Sequence, residues 1–217
     1  MLAALGVQVE LDGAAVARCV NTVGVGFAFA RMFHPAMRHA GPVRAELGVP
    51  TVFNLLGPLS NPARVTRMVV GVSDRSRARL MVEVLAGRGL THAMVVSGSD
   101  GLDELTLAGD SLILELIDGE IVERTVSPAD AGLRLADPAD LAGGEPGENA
   151  TIAMAILGGE PGPRRDIVLF NAAAGLVVAD KAPTLSDGVQ LAAAAIDDGE
   201  ALKVLEALVT ETNAPTT

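Results

Sequence analysis

Two places in the 217-residue chain combine residue types that could do chemistry. The first is Ser97–Thr106, SGSDGLDELT. Asp103 and Glu104 follow a Gly-containing turn, directly after His92–Val96, an apolar run that predicts a buried strand. In open α/β sheets, ligands bind outside the carboxyl ends of the strands. Adjacent carboxylates project in different directions, so the pair suits one two-ion cluster or two neighbouring ions. Oxygen ligands of this kind suit Mg²⁺, which keeps waters and shares phosphate oxygens with a substrate. A solvated acidic turn, or negative charge favoured at a helix N-terminus, leaves the same pattern. Asp100 fits turn chemistry better than ligation.

The second place is His34–Glu46, HPAMRHAGPVRAE. In a helix, Met37, Ala40, Gly41 and Arg44 share one face. Small residues below a guanidinium leave a slot for a flat ligand, and Arg44 could grip a carboxylate through two parallel hydrogen bonds. A close-packed helix with a surface Arg is the alternative. In Phe53–Asn61, FNLLGPLSN, Gly57-Pro58 forces a bend, and Asn54 and Asn61 fit turn stabilisation. Asn171, in LFNAAAG, is expected as a satisfied buried polar group of a packed helix. His39 and His92 are expected to be structural. Gly24-Val25-Gly26 lacks the third glycine of a dinucleotide fingerprint, and no Walker A loop or G-x-S-x-G elbow occurs. Three His and one Cys are too dispersed for a zinc site.

The elements that must position these residues follow from periodicity and punctuation. Leu2–Leu5 predicts a helical turn closed by Gly6. Asp12 caps a helix to about Val23, with Val16, Cys19, Val20 and Val23 on one face. Gly24–Ala30 alternates like a short strand, and His34-Pro35 opens a helix to Glu46 or Leu47. Val65–Val72, Arg75–Ala86 and His92–Val96 predict strand, helix, strand, a parallel crossover. Leu80 and Val84 are expected in the apolar stripe of that helix. Asp118-Gly119, between Ser111–Ile117 and Glu120–Val126, is a strong hairpin signal. Helices are expected over Glu148–Leu157, Arg165–Ala179, Leu185–Asp197 and Glu200–Glu211.

Composition narrows the function classes. Hydrophobic residues make up 49%, enough to bury a core, and a single cysteine excludes a disulfide scaffold. The net charge of −11 argues against a general binder of nucleic acid or acidic membrane. Residues 1–68 carry six Arg against three acids, while the rest is strongly acidic, so the basic segment suits a local anion site. No run of 18 apolar residues occurs, and the start, MLAALGVQVELDG, lacks the basic region of a signal peptide. Cytoplasmic residence is the expectation.

Taken in order, LAALGVQVELD, GVGFAFARMFHPAMRHAGPVRAELGVPTVFNLLGPLSNPA, VVSGSDGLDEL and DIVLFNAAAGLVVA resemble the anthranilate phosphoribosyltransferases of tryptophan biosynthesis. The resemblance implies displacement of pyrophosphate from phosphoribosyl pyrophosphate by the amine of anthranilate, with Mg²⁺ as cofactor. It implies that Arg44 and His34 lie on the anthranilate side and that Asp103 and Glu104 bind the metal; no covalent nucleophile is required. Met37 stands where some members carry an aromatic.

The implied fold is α/β, of the nucleoside phosphorylase/phosphoribosyltransferase type. It has a central, mostly parallel sheet with flanking helices and one hairpin. The Gly-Thr-Gly-Gly-Asp, Asn-Ile-Ser-Thr and Lys-His-Gly-Asn-Arg segments of that family do not occur. The expectation is therefore one incomplete, N-terminally truncated catalytic domain over 1–211, with a disordered tail over 212–217. Met1 would be an internal start or the start of a fragment, and the chain alone would be inactive. The expected partners are the two substrates, with neither nucleic acid nor membrane, and the resemblance is compatible with a homodimer. A pyrimidine-nucleoside phosphorylase-like enzyme and a non-catalytic binding paralogue remain the alternatives.

Overall fold

The computed structural model describes residues 1–34, 46, 48, 51, 56, 57 and 59–215. Among the described residues, the α-helices are α1 (Gly13–Val23), α2 (Ala30–Phe33), α3 (Ala78–Gly87), α4 (Pro146–Leu157), α5 (Pro163–Val178), α6 (Leu185–Asp197) and α7 (Glu200–Thr212). The strands are β1 (Arg67–Gly71), β2 (His92–Gly98), β3 (Ser111–Ile117) and β4 (Glu120–Val126). The chain forms two compact units: Met1–Pro62 with Gly143–Gly158 and Asp198–Thr217, and Ala63–Ala142 with Gly159–Asp197.

In the first unit, a 3-10 turn over Leu2–Leu5 ends at Gly6, whose φ of 90° is the left-handed closure expected of it. Asp12 caps α1, its Oδ1 accepting from the Ala15 amide at 2.8 Å. The core of this unit gathers Val7, Cys19 and Leu208. It draws in Cys19 and Val23 from α1, where Ala15 is also buried, and leaves Val20 48% exposed, so the buried stripe is narrower than expected. Residues 25–29 form no strand, contrary to the expected alternation. Gly24 closes α1, and Gly26 lies so close to Val16 and Val20 that a side chain would collide. The segment therefore folds against α1 instead of pairing. The α4 helix starts at Pro146, earlier than expected, because a reciprocal Glu145–Glu148 box caps it. Arg18 joins α1 to Glu211 of α7 with an Nε–Oε1 separation of 2.6 Å.

The second unit holds a four-stranded sheet in the order β1-β2-β3-β4. Only β1 and β2 are parallel; the other two pairings are antiparallel. The expected mostly parallel sheet is thus, among the described residues, a mixed one. The connections explain this. A parallel pair needs a crossover such as α3, whereas β3 and β4 are joined by two residues. Those two, Asp118 and Gly119, have φ of 48° and 90°, as a type I′ turn requires.

The β2 strand is buried throughout, and β3 is buried except at Ile117. Ala78, Met81, Val82 and Leu85 form the buried face of α3, while Leu80 is 50% exposed. The expected stripe through Leu80 and Val84 is on the wrong side of this helix. A helix apolar on several sides offers two stripes, and only the sheet selects one.

The α5 and α6 helices pack closely through small residues. A Cβ on Gly188 would lie 2.8 Å from both Cα and Cβ of Ala173. The one carboxylate in β3, Glu115, is buried but paired. It meets His92 Nε2 at 3.0 Å and Arg124 Nη2 at 3.0 Å. His92 Nδ1 faces Asp180 at 3.5 Å, and Asp180 in turn pairs with Arg67. His92 is structural, as expected: it links the sheet to the end of α5.

Candidate functional site

The acidic pair sits where β2 ends. The chain leaves Gly98 and turns at once, with Gly101 at φ +86° and the Gly98 amide donating to Leu102 O at 2.9 Å. Asp100 organises this turn. Its Oδ1 accepts from the Leu102 amide at 3.2 Å, and its Oδ2 from Thr106 Oγ1 at 2.8 Å. Ser111 Oγ accepts from the Thr106 amide at 3.0 Å, and Thr106 Oγ1 from the Ala108 amide at 2.9 Å. The loop closes into a small rigid body, with Leu105, Thr106 and Leu107 fully buried.

That body rests on β1. The position a Cβ would take on Gly71 is 1.5 Å from the carbonyl oxygen of Asp103. Gly71 therefore admits the peptide of Asp103 against the carboxyl end of β1, where any side chain would exclude it. The residue lies at the end of a β-branched apolar strand, a position where glycine marks close backbone approach. That signal stands in the sequence, although a search for chemical motifs passes over it. On the other side of the pair, Asn171 of α5 takes both backbone groups of Leu105.

The electrostatics of the pair are unfavourable without a cation. Asp103 and Glu104 are both exposed. Loss of hydration raises the Glu104 carboxyl above its ordinary range, and the charge of Asp103 raises it further. The residue is exposed, yet its carboxyl is partly stripped of water. A divalent cation bridging or neighbouring the two carboxylates would relieve both effects, so the donor chemistry fits Mg²⁺. Among the described residues, no group of three or more His, Cys, Asp or Glu is arranged to hold a metal ion. A cation held here would complete its shell with waters or ligand oxygens.

Arg44 and Met37, like His39, Phe53 and Asn54, lie outside the described residues. His34 is described; it ends α2, its amide donating to Ala30 O at 2.9 Å, and it is half-buried in the first unit. The acidic pair belongs to the second unit. A cleft of about 630 Å³ lies at the far end of β2, lined by His92, Glu115, Arg124 and Asp180 among others. Its buried polar groups are spent on one another, and it is remote from the acidic pair along the strand. No helix among the described residues is long and apolar enough to cross a membrane.

Residues 1–202 match the model of the glycosyl transferase family, a/b domain. The chain is 50% identical to the anthranilate phosphoribosyltransferase of Chloroflexus aggregans over 211 residues, which are 96% of this chain and 62% of that protein. It superposes on the crystal structure of the Thermus thermophilus anthranilate phosphoribosyltransferase with a TM-score of 0.91 and 44% identity, covering 98% of this chain and 63% of the other. The Saccharomyces cerevisiae anthranilate phosphoribosyltransferase, solved in complex with PRPP and Mg, gives a TM-score of 0.89 at 26% identity, covering 97% of this chain and 61% of the other. The chain thus spans about three fifths of the length of the relatives it matches.

Proposed function

Since the chain belongs to the glycosyl transferase family through its a/b domain, we propose that it carries the larger part of an anthranilate phosphoribosyltransferase of tryptophan biosynthesis. The observation that carries this reading is 50% identity across almost the whole chain to a protein of that name. The fold class is common to many activities, so the resemblance of particular segments decides between them. The 1–211 stretch is read as part of one catalytic domain, cytoplasmic in its setting.

In the reaction, the bond from ribose C1 to the pyrophosphate oxygen breaks, and a bond from C1 to the anthranilate nitrogen forms. The nitrogen loses a proton, and pyrophosphate leaves with the bonding pair. Mg²⁺, when bound, neutralises charge on the departing pyrophosphate. Asp103 and Glu104 would hold it at the strand ends. Arg44 would fix the anthranilate carboxylate by two parallel hydrogen bonds, with His34 on the same substrate side. The ribosyl centre becomes oxocarbenium-like, as in other glycosyl transfers. Positioning of a weak amine nucleophile then supplies much of the rate, and no enzyme nucleophile is needed. The three family segments absent from the sequence would bind most of phosphoribosyl pyrophosphate, so these 217 residues alone should turn over little.

A chimaera tests the proposal. This chain replaces the matching region of the Chloroflexus aggregans protein, and loss of anthranilate fluorescence is followed with phosphoribosyl pyrophosphate and Mg²⁺. Turnover dependent on all three is expected. A folded chimaera that leaves anthranilate untouched, or that cleaves thymidine with phosphate instead, defeats it.

A further inference from the structure

We infer that Asn171 is a positioning residue for the metal-binding pair, an assignment that rests on the reading of Asp103 and Glu104 as ligands of Mg²⁺. Its side chain brackets a single residue. Asn171 Oδ1 accepts from the Leu105 amide at 2.9 Å, and Nδ2 donates to Leu105 O at 2.9 Å. The second proton of Nδ2 goes to Ile167 O, one turn back along α5, at 3.0 Å. Every arm of the amide except one acceptor lone pair is therefore used. Two of the bonds reproduce what a neighbouring strand would offer Leu105, whose side chain is fully buried.

The bracket matters because of what flanks it. Leu105 follows Glu104 directly, and Gly71 seats the carbonyl of Asp103 on β1. The Asp103–Glu104 peptide is thus seated on β1 at its own carbonyl and followed directly by a hydrogen-bonded clamp. Like charges on adjacent exposed residues repel, and an untethered loop would relax by swinging them into water. Mg²⁺ tolerates little departure from octahedral geometry at about 2.0–2.1 Å, so a loose pair is a poor site. Groups that orient ligands from outside the coordination shell commonly change metal affinity by about 10- to 100-fold. The clamp is specific to an amide. Asp at this position would turn a carboxylate towards two carbonyl oxygens, and Ala would leave both groups of Leu105 without a partner.

The test uses the full 217-residue chain, with Mn²⁺ alone as the probe, read by electron paramagnetic resonance. Amide hydrogen exchange is read by NMR. Wild type, Asn171→Ala and Asp103→Asn are compared. In Asn171→Ala the Leu105 amide should lose protection while amides of β2 and β3 keep theirs, and Mn²⁺ affinity should fall about tenfold or more. A purely structural role would lower the melting temperature and leave Mn²⁺ affinity alone. If Leu105 loses protection and Mn²⁺ still binds as in wild type, while Asp103→Asn abolishes binding, the positioning role is overturned and the metal reading stands. If wild type binds no Mn²⁺, or Asp103→Asn binds it equally well, the metal reading falls and the Asn171 role with it. Should Asn171→Ala lose protection throughout the sheet, Asn171→Ser carries the same comparison, since it keeps a hydroxyl and more of the volume.

Discussion

Replacing Gly71 by Ala is the sharpest perturbation of the acidic pair that touches neither carboxylate. The added Cβ would lie 1.5 Å from the Asp103 carbonyl oxygen, 2.5 Å from its carbon and 3.2 Å from its Cα. Ordinary contact begins near 3.4 Å, so the loop or the strand end must retreat by about 2 Å. The obstacle is backbone, which cannot rotate away as a flexible side chain would. A forced shift of that kind costs about 1–3 kcal/mol of stability. A displacement of about 2 Å also equals a whole Mg²⁺–oxygen bond length, so the ligation proposed for the pair should be weakened.

Gly87→Ala is the control, because nothing lies within 4 Å of a Cβ there. At the end of α3 that change should be neutral or stabilise by about 0.4–1 kcal/mol. The assay is urea unfolding followed by circular dichroism, with Mn²⁺ titration of each variant. Gly71→Ala should unfold at lower urea and bind Mn²⁺ about tenfold more weakly or worse. A Gly71→Ala protein matching wild type in both measurements would refute the seat that the Asp103 carbonyl is said to occupy.

Three further outcomes are expected. Glu104 has its carboxyl raised by lost hydration and by Asp103, so its charged form destabilises the fold above its folded pKa and not below its unfolded one. Glu104→Gln should therefore be more stable than wild type near neutrality without metal. That advantage should vanish as pH falls through the carboxylate range, in urea melts at a series of pH values. Gly188→Ala places a Cβ 2.8 Å from Ala173 and should cost about 1–3 kcal/mol, checked by thermal denaturation. In the chimaera, Arg44→Lys would give up one of the two charge-assisted hydrogen bonds proposed for the anthranilate carboxylate and should raise KM for anthranilate by about tenfold, from steady-state kinetics.

Local signals carried much of the fold. Asp118-Gly119 specified its hairpin because a type I′ turn matches the twist of the flanking strands. Asp12 and Gly6 marked helix ends because unpaired backbone groups there demand a cap or a left-handed closure. The acidic pair was legible as a candidate from its place after an apolar run, and Asp100 as turn chemistry.

Long-range contacts decided the rest. Leu80 and Val84 are as apolar as Met81 and Leu85, and only the sheet surface chose which stripe of α3 to bury. Gly24–Ala30 alternates like a strand, yet Gly26 packs on α1 and residues 25–29 form no strand. Glu115 is a charge in a buried strand until His92 and Arg124 arrive to satisfy it. Asn171 announced that it would be satisfied, while its partner, 66 residues away, could not be read from the chain. The sequence by itself determined most of the elements, the family and the chemical types at the candidate site. The tertiary structure decided how the acidic pair is held, because that depends on a carbonyl meeting a missing Cβ and an amide meeting a distant backbone, and neither leaves a local pattern.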